Sequence, residues 1–347
     1  MTRPELRIDE TVFRRNLDVL RDRVEPSSLM LVVKDDAYGH GAGWAAETAV
    51  RAGVDWVGTY DIPTAVGLRD AIGAGPRLFA WATSADDEIA EALIAGVDLG
   101  VGSLAYLERV LAQSERVGAR ARIHLKIDTG LHRSGLSAGE WAQGLDRVLG
   151  DGGHASADLV GVWSHIAEAS DEEDDAAHRR FLGAVDEAAR AGASSPLTHL
   201  TASAATWARP ELRGSLVRVG AFCYGIRSAD GPELPGLAPI ASLCARVEEV
   251  RHGEAVVGIG ALDGIPSILA GRVDVGTPVG PRPLRAVELA TVRVEAWPGA
   301  VPGDEVVLFG PGTRGESSAT TLAESIDTVG EEILTRLASR VRRRHVS

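Results

Sequence analysis

"LMLVVKDDAYGHGAG", residues Leu29 to Gly43, opens with five apolar residues of strand character and stops at a lysine. Lys34 is one of only two lysines in the chain; the other is Lys126, and the rest of the 36 Lys+Arg residues are arginine. Lysine does what arginine does not: it loses its proton, attacks a carbonyl and forms an imine. A short buried strand that delivers Lys34, followed by Tyr38, His40 and two glycines, predicts a parallel sheet with its chemistry at the C-terminal strand ends.

Working outward, similar apolar runs recur at Asp55–Thr59, Arg77–Trp81, Val97–Val101, Arg122–Ile127, Leu159–His165, Leu197–Thr201 and Leu216–Gly220. Segments of helical periodicity separate them. In "SLAYLERVLAQSERVG", Leu104, Leu107, Val110 and Leu111 share one face. "DEEDDAAHRRFLGAVDEAARAG" carries acidic residues in its first turn, where they complement the helix dipole. Eight strands alternating with helices predict an α/β fold, a (β/α)8 TIM-like barrel over residues 8–228. A doubly wound open sheet is the alternative, disfavoured because no glycine fingerprint follows the first strand.

After Gly225 the texture changes. "ADGPELPGLAP" reads as a linker, and "ASLCARVEEVR", "EAVVGIG", "RAVELATVRVEAW" and "GDEVVLFG" read as strands. These predict a mostly antiparallel β domain over residues 236–347, shortened, with residues 1–7 assigned to pack with it. One helix, "SIDTVGEEILTRLASRV", is expected to end the chain, and the basic run "RVRRRH" (Arg340 to His345) is read as a solvated tail.

Composition narrows the class. A formal charge of −13 argues against a nucleic-acid surface. "MTRPELRIDE" lacks the apolar core of a signal peptide, and no apolar run is long enough to span a bilayer, so a cytoplasmic location is expected. Cys223 and Cys244 are too few for a disulfide framework or a thiolate metal cage, and no metal is expected.

Polar residues gather at the strand ends: Lys34 at the first, Lys126, Asp128, His132 and Arg133 at the fifth, His165 at the sixth, His199 and Ser203 at the seventh, Arg218 and Gly220 at the eighth. Singly, each has a structural reading, a solvated lysine or a hydrogen-bonded core histidine. Together, an imine-forming lysine and phosphate-binding turns after the last two strands point to a phosphorylated aldehyde as cofactor or substrate.

With those residues in view, the chain resembles the alanine racemase family of pyridoxal-phosphate enzymes. "VVKDDAYGHG", "KIDTGLHRSG", "SHIAEASD" and "VRVGAFCYG" resemble its successive barrel motifs, and "GDEVVLFG" carries the likeness into the second domain. The resemblance implies pyridoxal 5'-phosphate on Lys34, an amino-acid substrate, and a homodimer with shared active sites. It implies that Tyr38, Ser203 and the backbone at Gly220 and Ala221 hold the phosphate, and that Arg218 faces the pyridine nitrogen with His165 bridging toward it. Arg133 would reach the phenolic oxygen or the substrate carboxylate. Lys126 stands at the position often carbamylated in the family, with a plain salt bridge as the alternative.

The likeness breaks on the β-domain side. The family's second base is a tyrosine in Gly-Tyr-x-Asp-Gly, supplied by the partner subunit; "GIGALDGIP" puts Ala261 there. Val287-Glu288 stands where the family has a substrate-contacting Met-Asp pair. Glu331 replaces a phosphate-binding tyrosine and is expected to point away from an anion. Three readings follow: an amino-acid racemase or epimerase with another second base (Glu288, His252 or a water); one-sided chemistry with His165 as base, such as retro-aldol cleavage, or decarboxylation or a specialised biosynthetic step; and a non-catalytic carrier of the cofactor.

Overall fold

The computed structural model describes residues 3–150 and 156–347. The chain divides into two compact units. One comprises Leu20–Lys34 and Ala42–Gly220; the other comprises the N-terminal segment to Val19, Asp35–Gly41 and Ala221–Ser347.

β1 (Glu5–Asp9) belongs to the second unit. The first unit is built on β2 (Ser28–Val32), β3 (Trp56–Thr59), β4 (Arg77–Ala80), β5 (Asp98–Val101), β6 (Ala121–Lys126), β7 (Ala157–Trp163), β8 (Leu197–His199) and β9 (Leu216–Val219). All pair in parallel, in the order β8-β7-β6-β5-β4-β3-β2-β9. These are the eight strands expected from the sequence, each within two residues of its predicted ends. The barrel is nearly closed: in place of a backbone ladder between β8 and β9, Thr198 N donates to Ser215 Oγ (2.9 Å) and Ser215 N donates to Thr198 Oγ1 (3.0 Å). Gly214 permits this approach, since a Cβ there would lie 2.0 Å from Thr198 O.

Sequence signals place the surrounding helices. Ser103 caps the helix Leu104–Val117 by accepting from Tyr106 N, Gly118 ends it in the left-handed region, and its apolar face is buried. Ser170 caps Asp171–Arg190 through Glu173 N.

The barrel interior is crowded with rings. Met30, Trp56, Phe79, Trp163 and Leu216 form a buried cluster, and three strand glycines make room for their neighbours. A Cβ on Gly58 would meet Met30 Sδ at 2.7 Å, one on Gly100 would meet Trp163 and Trp81 at 2.9 Å, and one on Gly161 would meet His124 Nδ1 at 2.3 Å.

The second unit is a β domain of β1, β10 (Ala241–Arg251), β11 (Glu254–Val257), β12 (Asp274–Thr277), β13 (Gly280–Val287), β14 (Val292–Glu295), β15 (Glu305–Phe309) and β16 (Arg342–Val346). Their order is β11-β14-β13-β12-β15-β10-β1-β16, with β10 also pairing β11. Pairing is antiparallel except between β1 and β16.

Two expectations for the C-terminus are corrected. The long terminal helix expected over Ser325–Val341 reduces to Gly330–Thr335, and a separate short helix, Ala319–Glu324, precedes that stretch. The "solvated tail" is β16, whose backbone pairs with β1 while alternate arginines reach solvent. Charge alone misled: an edge strand needs backbone partners, and its exposed face tolerates arginine.

β16 also holds a strained segment. Asp35, Asp36, Ala37 and Tyr38 all adopt left-handed φ angles of 53–56°. Each non-glycine residue there costs about 1–2 kcal/mol, so neighbours must impose the conformation. Arg343 Nε donates to Gly39 O (3.4 Å), and His345 Nε2 lies 3.0 Å from His40 O. The Tyr38 and His40 rings pack on Tyr224 at centroid distances of 5.2 and 5.0 Å.

Gly100→Ala is expected to lower the denaturant unfolding free energy by about 1–3 kcal/mol, because the added methyl meets two tryptophans with no room to shift.

Candidate active site

Each barrel residue singled out in the sequence lies at or just beyond a C-terminal strand end. Lys34 is half-buried, two residues past β2. Lys126 ends β6 and is 4% exposed. The following loop folds back: Leu136 N donates to Lys126 O (2.8 Å), and Asp128 N to Leu136 O (2.9 Å). Asp128 Oδ1 accepts from Gly130 N and His132 N, and Gly130 and Gly135 take positive φ. "KIDTGLHRSG" is therefore a motif of loop geometry. It leaves Arg133 exposed, yet close enough to Lys126 to act on its charge.

Arg218, inside β9, is a second buried cation of the site. Nη1 donates to His199 O and faces His199 Nδ1, both at 3.0 Å. Nη2 donates to Ser164 O (2.9 Å) and Leu200 O (3.0 Å), and lies 3.3 Å from His165 Nδ1. Burial, then Arg133, pulls the guanidinium down to about 9, so it stays charged at neutral pH. Gly220 N donates to the half-buried Ser203 Oγ (3.1 Å).

The field at this end is positive. Burial lowers His165 to about 3, and the strongest charges acting on it, Arg218, Arg133, Lys126 and Lys34, are all cationic. Burial, Arg133 and Arg218 lower Lys126 to about 8, although Asp128 opposes them; its Nζ donates to Ser134 Oγ (2.6 Å). Four cations around one imidazole form a site charged for an anion, whose arrival would offset their repulsion. A phosphorylated, phenolate-bearing cofactor fits that donor set. As a base at neutral pH, His165 is weak: its pKa is low, and Nδ1 faces a group that only donates.

Sequence reasoning missed the polar interior. His199 Nε2 lies 2.8 Å from His124 Nδ1, and His124 Nε2 lies 3.1 Å from Asp98 Oδ2. Asp98 also accepts from Arg122 Nε (2.9 Å) and pairs with Arg77. The signal was present: a histidine in the middle of "RIHLK" and an aspartate opening "DLGV", both at buried strand positions.

In the other unit, Tyr38 is buried, and Ala221 opens the 3-10 turn Ala221–Tyr224. Burial, then Glu331, pushes the Tyr38 hydroxyl well above its usual range, so Glu331 lies close enough to Tyr38 to act on its charge. Ala261 opens a 3-10 turn, Ala261–Asp263, and is half-buried. Glu288 is exposed and ion-paired with Arg293 (3.0 Å), and His252 sits at the β10–β11 hairpin tip, one strand away from Ala261 in sequence. Among the described residues no group of His, Cys, Asp and Glu is arranged to hold a metal, and no helix is long and apolar enough to cross a membrane.

The alanine racemase N-terminal domain family matches residues 8–228, and its C-terminal domain family matches residues 247–345. An alanine racemase of Beutenbergia cavernae is 37% identical, covering 98% of this chain and 97% of its own length. That alignment runs over 369 positions, more than the 347 residues here, so the relative carries segments this chain lacks. The alanine racemase structure from Streptomyces coelicolor A3(2) is 31% identical, with a TM-score of 0.93 over 99% of this chain and 98% of that one. The fold is also that of the Bartonella henselae alanine racemase, solved with covalently bound pyridoxal phosphate (20% identity, TM-score 0.85, 100% of both chains). Matched in both domains and over nearly its whole length, the chain belongs to the alanine racemase family.

Proposed function

We infer that this chain is a pyridoxal 5'-phosphate-dependent, alanine-racemase-like isomerase acting at the α-carbon of an amino acid. The observation that carries this reading is the cluster of Lys34, Lys126, Arg133 and Arg218 acting together on His165 at the C-terminal strand ends. When bound, the cofactor supplies the electron-withdrawing ring that makes the α-hydrogen acidic. Lys34 holds the aldehyde carbon and moves the proton at the α-carbon. Arg218, charged at neutral pH, disfavours protonation of the pyridine nitrogen and so restrains side reactions. Ser203 and the amide of Gly220, which are hydrogen-bonded to each other, take the phosphate. Arg133 binds the phenolic oxygen or the substrate carboxylate.

Lys126 is the carbamylation candidate. With a pKa near 8, a substantial fraction of its amine is neutral at physiological pH, the form that attacks carbon dioxide. The modified side chain would be anionic beside Arg133, and orient it. We place the barrel at residues 8–228 and a shortened β domain at 236–347, in a cytoplasmic homodimer whose subunits share their active sites; its chemistry suits a small amino-acid ligand.

Ala261 favours a second reading, chemistry confined to one face of the substrate, because a positioned acid–base group contributes about 10²–10⁴-fold and a methyl group supplies none. The weak basicity of His165 disfavours it as the base for an aldol step. Glu288 has a carboxylate but spends it on Arg293.

Three outcomes are expected. Wild-type protein reconstituted with pyridoxal phosphate shows the visible band of a lysine-bound cofactor, fixed by borohydride; Lys34→Ala abolishes both, and a colourless wild type would mean that the chain holds no such cofactor. In heavy water, wild type exchanges the α-hydrogen of a substrate amino acid much faster than it inverts it. Ala261→Tyr then raises the inversion rate on the order of 10²-fold; fast inversion by wild type would mean that another group serves the second face. The imidazole of His165 shows no NMR titration between about pH 4 and pH 8 in the cofactor-free protein, since its lowered pKa keeps it neutral throughout that range.

A further inference from the structure

We propose that Asp98, His124 and His199 are positioning residues for Arg218: they form a hydrogen-bond chain of a single direction that crosses the barrel interior and fixes the guanidinium from behind. The chain starts at Asp98, the first residue of β5, passes through His124 within β6 and His199 at the end of β8, and reaches Arg218 in β9. It therefore links the N-terminal rim of the barrel to the end that carries Lys34.

Direction follows from which groups donate and which accept. Arginine has no acceptor, so Arg218 Nη1–H donates to His199 Nδ1, which carries a lone pair (3.0 Å). A neutral imidazole then holds its proton on Nε2, and His199 donates to His124 Nδ1 (2.8 Å). His124 in turn keeps its proton on Nε2 and donates to Asp98 Oδ2 (3.1 Å). Starting from the other end gives the same answer: an ionised carboxylate only accepts, so His124 Nε2 must donate to it. The two termini agree without reference to each other, and one tautomer of each ring satisfies every contact.

The surroundings keep both rings neutral and fixed. Burial lowers His199 well below the usual range, with Arg218 and His124 adding to it, and burial lowers His124 despite Asp98. Burial pushes Asp98 up, but His124, Arg77 and Arg122 outweigh it and leave the carboxyl below its ordinary range. Trp163 stacks on His199 (5.6 Å between centroids, 8° between planes) and sends its own N–H to His124 O (2.9 Å), so it does not compete for a ring nitrogen. Gly161 leaves the space that the His124 ring fills. A reversed tautomer at His199 would set its Nδ1–H against the guanidinium N–H of Arg218, and one at His124 would set its Nδ1–H against His199 Nε2–H and leave Asp98 Oδ2 without its donor. Two neutral rings thus connect a buried cation to a buried anion without a direct ion pair.

The test uses full-length protein without cofactor, so its outcome does not depend on the reading of the active site. Histidine labelled with ¹⁵N reports which ring nitrogen carries the proton, with His124→Asn and His199→Asn assigning the signals. Wild type is expected to show Nε2–H with a bare Nδ1 at both residues. Asp98→Val, which removes the acceptor, is expected to convert both to tautomer mixtures and broaden the Arg218 side-chain N–H signals; Asp98→Asn, which keeps an acceptor oxygen, restores the single form. An Nδ1–H or doubly protonated ring in wild type overturns the proposal whether or not the variants fold. Unchanged tautomers in folded Asp98→Val, or mixtures in Asp98→Asn equal to those in Asp98→Val, overturn it as well.

Discussion

A guanidinium buried in a barrel of apolar and aromatic side chains is the constraint on which the first unit turns. Arg218 cannot shed its charge at neutral pH, so the fold must surround it with acceptors. Three are main-chain carbonyls, of Ser164, His199 and Leu200, lying just past or at the ends of adjacent strands. Hydrogen bonds to a charged group contribute roughly 1.5–3 kcal/mol each, and removing one acceptor exposes the cation to the full cost of its burial. The strand ends that present chemistry are thus the same ones that keep Arg218 solvated by protein. Stability and function cannot be separated at β7, β8 and β9.

A second constraint acts in the β domain. Directly after Lys34 the chain makes a left-handed turn through four non-glycine residues, a conformation their own preferences oppose. Its carbonyls point where β16 can reach them, and Arg343 and His345 do so. Gly39 lets Leu334 approach, since a Cβ there would sit 3.1 Å from Leu334 O. The last strand of the chain therefore braces a turn more than 300 residues earlier in sequence. Its arginines serve backbone geometry as well as solvent contact.

The eight barrel strands could be read from the sequence because each is short, β-branched and followed by a helix with a recognisable cap, as at Ser103 and Ser170. The strand-end residues were equally visible, since a lysine or histidine that closes an apolar run stands out against it. What could not be read depends on distant partners. Asp98 and His124 appear as isolated polar residues in apolar runs, and their meaning emerges only when β5, β6, β8 and β9 are placed side by side. β16 looked like a charged tail because nothing local says that β1, at the opposite end of the chain, offers it a free edge. Local pattern determines elements; pairing across hundreds of residues determines their roles.

The segment around Ala261 makes the same separation within a single loop. Its shape is set by Asp263, which accepts from Gly260 N (2.8 Å) and pairs with Arg340, and by Gly264, whose missing Cβ makes room for Arg336 O. Ala261 and Leu262 contribute backbone N–H groups to the carbonyls of Glu288 and Leu289. None of these contacts uses the side chain at position 261. The scaffold that would present a residue there is intact and indifferent to which residue it is. The contacts that shape this loop are thus made by the backbone and by Asp263 and Gly264, and position 261 enters them through its backbone alone.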